Sequence, residues 1–152
     1  MVEMSEVEKI VEVVKKKKKK RGITSKAKKK DATANAVIRK GKGTVRINKR
    51  IIDTISPDYV KEFIREPLEL AGSVSSEVDV EVTVNGGGFM GQSVASRAAI
   101  AKAILEFRRG DEKLKKKFLA YDRMLLVDDA RRVEPKKQLG PKARAKKQAS
   151  KR

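Results

Sequence analysis

The chain has 152 residues, and its 39 lysines and arginines against 20 aspartates and glutamates give a formal charge of +19. With no cysteine and no histidine it excludes a disulfide framework, thiolate ligation of metals and the imidazole groups that serve most metal and acid–base sites. No segment approaches the roughly 20 apolar residues that span a bilayer, and Val7–Val14 follows acids where a signal peptide has basic residues, so the chain reads as cytosolic with no membrane partner.

Met1–Val14 spaces Val7, Ile10, Val11 and Val14 as one face of a helix among four glutamates. It reads either as a short amphipathic helix or as an acidic leader held near the lysines that follow. Lys15–Lys30 holds 11 basic residues and no acid, too polar to fold alone, and residues 1–30 are assigned to a leader and a lysine-rich arm. Asp31–Ala130 balances 17 basic against 15 acidic residues and is assigned to one globular domain. The tail, 131–152, carries ten basic residues and a single acid, Glu134. Charge confined to arms around a balanced core describes a small domain that grips a polyanion, RNA or DNA first.

Ordered structure is expected from about Thr33, where Ala34, Ala36 and Ile38 alternate with polar neighbours. Lys40-Gly41-Lys42-Gly43 supplies a turn, and Val45 and Ile47 return, giving a hairpin with a basic tip. Ser56-Pro57 opens an amphipathic helix carrying Val60, Phe63 and Ile64, which Pro67 closes. Val78, Val80, Val82 and Val84 alternate with polar residues as a strand with one core face. Gly86-Gly87-Gly88 turns that strand into an alanine-rich helix ending at Phe107. Asp111 caps a further helix with Leu114, Phe118 and Leu119, Leu125–Val127 forms a short strand or packed loop, and regular structure stops at Arg131.

A glycine cluster between strand and helix is how phosphate loops are built, and a phosphotransferase using Gly86–Ser93 is one reading. A nucleotide loop, however, needs Gly-Lys-Ser/Thr at the helix start, and here Gly91-Gln92-Ser93 stands instead. The glycines are better read as permitting a tight turn and close approach of helix to sheet, with no cofactor implied. Asp128-Asp129 could in principle hold magnesium, but Arg131 and Arg132 oppose a cation, and a solvated turn or cap is the better reading. The Lys15–Arg21 run is a nonspecific electrostatic arm, a localisation signal or a membrane-surface patch, in that order.

The run Gly86-Gly87-Gly88-Phe89-Met90-Gly91-Gln92-Ser93-Val94-Ala95-Ser96-Arg97-Ala98-Ala99-Ile100-Ala101-Lys102-Ala103-Ile104 resembles the signature of the ninth small-subunit ribosomal protein family. Glu66-Pro67-Leu68-Glu69-Leu70, Asp129–Lys137 and the ending Gln148-Ala149-Ser150-Lys151-Arg152 extend the likeness over residues 28–152, most like archaeal or eukaryotic members. Gln138 and Lys147 stand where the family usually carries aromatics. The resemblance implies a non-enzymatic α+β domain, a four-stranded sheet with helices on one face and a left-handed βαβ crossover, against the usual hand. It also implies a ribosome-bound place in the head of the small subunit, against 16S-type ribosomal RNA and neighbouring head proteins, with Lys151 and Arg152 at the tail's end on peptidyl-site tRNA. Candidate RNA contacts are Lys28, Lys29 and Lys30 on the arm and Arg39, Lys40, Lys42, Arg46 and Arg97 on the domain, and Gly86, Gly87, Gly88 and Gln92 form the signature turn. Those on the tail are Arg131, Arg132, Lys136, Lys137, Lys142, Arg144, Lys146 and Lys147. A nucleoid-type protein that compacts DNA without sequence preference is the alternative from another class.

Overall fold

A computed structural model describes residues 22–138 and 140–145. The leader, the Lys15–Arg21 run and the tail residues Lys146, Lys147, Lys151 and Arg152 lie outside the described residues. Regular structure begins earlier than the composition suggests, with strand β1 at Ile23–Lys29 inside the segment read as a basic arm. Its inward positions are Ser25 and Ala27, so small that the strand counts as polar while still packing beneath a helix. The Ser25 hydroxyl donates to the carbonyl of Ala99 at 2.8 Å, which satisfies it inside the core. Lys26 and Lys28 alternate outward.

Strand β2, Ala32–Lys40, follows after the two-residue turn Lys30-Asp31 and pairs antiparallel with β1, Lys29 opposite Ala32 and Ile23 opposite Ile38. The short strands β3, Val45–Ile47, and β4, Arg50–Ile51, form their own hairpin around Asn48 and Lys49. Both turn residues have positive φ, 48° and 70°, the pattern of the type I′ turn that suits the twist of a hairpin. Strand β5, Val78–Asn85, completes a mixed sheet of order β1-β2-β5-β3-β4, antiparallel to β2 and parallel to β3.

Two expectations are corrected here. The sheet has five strands, not four, because β1 joins one edge and β4 the other. The hairpin expected between the alanine strand and Val45–Ile47 does not form, because β5 lies between them. Val78, Val80, Val82 and Val84 are all 2% exposed or less, and the strand with the largest apolar face gains most from a neighbour on both sides.

From β3 to β5 the chain passes through helix α1, Asp58–Ala71, and the single turn α2, Ser73–Ser76, making a parallel βαβ unit. Pro67 does not close α1. It sits buried inside the helix, where burial of its ring offsets one missing N–H, and the helix ends at Gly72, φ 60°, whose N–H donates to Leu68 and Glu69 carbonyls. Helix α3, Phe89–Phe107, lies against β1, β2 and β5, with α1 and helix α4, Glu112–Tyr121, against its other sides. The core between α3 and the sheet is rich in alanine on both sides, Ala27, Ala32, Ala34 and Ala36 below and Ala95, Ala98, Ala99 and Ala103 above, beside Ile38, Ile100 and Ile104. Asp111 caps α4 as expected, accepting from Lys113 N at 3.0 Å. Phe118 is fully buried with Ala101 and Leu125, whereas its neighbour Leu119, about 100° around the helix, is exposed. Leu125 ends a 3₁₀ turn, Arg123–Leu125, not a strand.

Candidate nucleic-acid interface

Among the described residues, helices cover one face of the sheet and leave the other uncovered and polar. Lys28, Thr33 and Asn85 form one cross-strand row of that face, and Lys26, Asn35 and Thr83 the next. Thr24, Val37, Glu81 and Arg46 form the third. The candidate cations gather at the two ends of β2.

At the first end, the Lys30-Asp31 turn sits on the signature glycines. Gly86 and Gly87 have φ of 77° and 63°, and a Cβ on Gly86 would lie 2.4 Å from the carbonyl oxygen of Asp31. On Gly87 it would lie 3.1 Å from Ala32. Gln92 stitches the turn shut, its side-chain amide donating to Gly86 O at 3.1 Å while its N–H meets Gly88 O. The glycines therefore serve backbone approach, as the tight-turn reading expects, with no lysine in the place a nucleotide loop requires. The first turn of α3 has no acidic residue and no side-chain cap, so its positive end opens on the groove lined by Lys29 and Lys30.

At the far end, Lys40–Thr44 is an ordered loop with its cations outward. Asp79 Oδ1 accepts from the N–H groups of Lys42 and Thr44, both at 2.9 Å, and Gly41 N donates to Glu77 O. The backbone N–H groups of Thr44 and Lys42 hold the Asp79 carboxyl below the usual aspartate value. Arg39, Lys40, Lys42 and Arg46 all stay exposed around it. Asn48 anchors the neighbouring hairpin, donating to Val84 O at 3.2 Å and accepting from Val84 N at 2.9 Å, which presents Lys49 and Arg50 to solvent. Neither cation was among the sequence candidates, since only the positive φ at Asn48-Lys49 reveals a tip there.

Of the pair read as a solvated turn or cap, Asp128 is exposed and Asp129 accepts the Arg131 N–H as a turn would have it, but the Asp129 side chain is enclosed. Asp128 Oδ1 accepts from Lys102 Nζ on α3 at 2.6 Å and from the Lys28 N–H on β1 at 3.3 Å. The Asp129 side chain is 4% exposed, ion-paired with Lys29 and gripped by the Arg131 guanidinium at 2.8–3.0 Å. Hydrogen bonds from Arg131, then from Lys29, hold its carboxyl far below the usual range, and Asp129 in turn raises Arg131. Lys29 and Arg131 are thus engaged within the protein, while Lys28, Lys30 and Arg132 face solvent. Further along, Glu134 and Arg144 form a two-point pair at 2.5 and 2.8 Å, leaving Lys136, Lys137 and Lys142 exposed. The Arg144 bond lowers the Glu134 carboxyl, and Arg144 is raised by the same contact.

Arg97 is buried, 6% exposed, and offers no face to a phosphate. It meets Glu66 of α1 at 2.5 Å and Asp122 after α4 at 2.7 Å, and its guanidinium lies 4.3 Å from the centre of the Phe63 ring. Its place among the RNA candidates is corrected: a cation in the middle of a buried helix joins three elements.

Exposed cations set on ordered turns around a polar sheet face make a surface suited to a polyanion, as in structural RNA-binding proteins. The sequence profile described as ribosomal protein S9/S16 matches residues 27–152. Proteins named small ribosomal subunit protein uS9, from two strains of Methanococcus maripaludis, are each 47% identical over 124 residues, covering 79% of this chain and 92% of theirs. The chain belongs to the ribosomal protein S9/S16 family. It is accordingly an archaeal-type structural component of the small subunit, ribosome-bound in the cytoplasm, and not an enzyme.

Proposed function

We propose that the domain docks on 16S-type ribosomal RNA in the head of the small subunit, beside neighbouring head proteins, and that the tail reaches peptidyl-site tRNA with Lys151 and Arg152. Residues 1–30, 31–130 and 131–152 then divide into leader and arm, domain and tail, with β1 lending the end of the arm to the sheet. The family likeness further implies a left-handed crossover between β3 and β5. Exposed cations at both ends of β2 would carry the docking through phosphates, with RNA shape and not base edges selecting the site. Arginine at the tail's end suits the tRNA contact, because its planar fork can hold two phosphate oxygens. The observation supporting the reading is that the family match spans residues 27–152, the tail included.

Subunits assembled with a chain lacking Lys151 and Arg152 should sediment normally on a sucrose gradient and bind peptidyl-site tRNA more weakly. Normal tRNA binding would overturn the tail's role, and failure to assemble would place those residues on ribosomal RNA instead.

A further inference from the structure

The last residues before the tail are held by two elements, α3 and β1. Lys102 reaches Asp128 from α3 and also donates to Lys26 O at 3.2 Å, the Lys28 N–H reaches Asp128 from β1, and Lys29 reaches Asp129. Arg131 closes the other side of Asp129 with its backbone N–H at 3.0 Å as well as its guanidinium. Electrostatics alone would not put the chain there. The tail carries ten basic residues against one acid, and β1 with its turn presents Lys26, Lys28, Lys29 and Lys30. Like charges would drive the two apart, and the two carboxylates reverse the sign where they meet.

We infer that Asp128 and Asp129 are positioning residues that fix the point at which the C-terminal tail leaves the domain, beside the end of β1. The inference deepens the tail reading, since a tail rooted at a fixed point loses less freedom on reaching its target than one that swings. Its test does not depend on that target.

The chain has no cysteine, so two introduced ones can be labelled without ambiguity. Nitroxides at Thr83→Cys on the bare sheet face and at Val133→Cys, 76% exposed just past the clamp, report the tail's root by electron–electron double resonance on the full chain. The expected result is a single narrow distance peak that Asp129→Asn broadens, with the domain still folded and the urea midpoint lowered less than by Arg97→Ala. Arg131→Ala should broaden it less, because Lys29 still holds Asp129. Should Asp129→Asn unfold the domain, Arg131→Ala decides, since that side chain is 72% exposed and outside the core. A peak unchanged in the folded variants overturns the inference. The tail's role fails separately, if deleting Lys151 and Arg152 leaves tRNA binding intact.

Discussion

Arg97 and Asp129 are both nearly enclosed and carry opposite charges, but they are enclosed in different ways. Arg97 is walled in by helices, with carboxylates from two elements and the Phe63 ring completing its surroundings. Asp129 is covered by the flexible side chains of its own partners, Lys29 and Arg131, and water replaces them as soon as they turn away. The first arrangement holds the domain together and the second holds only the departure of the tail. Part of the +19 charge is therefore architecture, and the cations left for RNA are fewer than the composition suggests.

The contrast breaks most visibly at Arg97. Arg97→Ala leaves Glu66 and Asp122 facing each other without a cation and should cost about 3 kcal/mol, read from urea unfolding. A loss no larger than that of a surface lysine would show the cluster to be dispensable. A smaller effect separates neighbours on β1. Lys28→Ala should reduce the slope of log affinity against log salt by about 1 for a head-domain RNA fragment, and Lys29→Ala by clearly less. Equal slopes would mean that RNA pulls Lys29 out of its pair with Asp129. The smallest effect is with pH. Because the Asp129 carboxyl is depressed below its ordinary 3.8, its contribution is complete above that value and is lost only as pH falls through the lower folded value. The distance from Thr83 to Val133 should thus hold from neutrality to about pH 4 and open only in stronger acid. Opening near pH 5 would show that the carboxylate is not held by its cations.

Alternation along Val78–Asn85 and the glycine-to-helix transition could be read directly, because a repeating apolar face is a local property of the chain. Strand neighbours are not local. Nothing in Ala32–Lys40 or Val45–Ile47 states that a strand from thirty residues further on will lie between them. β1 escaped for another reason: Ser25 and Ala27 carry too little apolar surface to register as a core face, and the lysines beside them dominate the count. Charged sites were legible as positions but not as roles. Arg97 and Lys28 look alike in sequence, and only burial separates a cation that joins helices from one that meets solvent. The spacing Asp129-Ala130-Arg131 did carry a signal, an acid two residues ahead of the arginine whose N–H and guanidinium it accepts.

The alanine seam under α3 sets which way this domain is fragile. Alanine gives up no rotamer freedom on burial, so helix and sheet join at low entropic cost. At the alanine positions truncation removes only a methyl group. Added atoms are another matter, because a helix resting on methyl groups has nowhere to retreat without lifting off β1, β2 and β5 together. Substitution along the seam is accordingly asymmetric: Ala→Gly should cost about 1 kcal/mol through backbone freedom, and larger side chains more through overpacking.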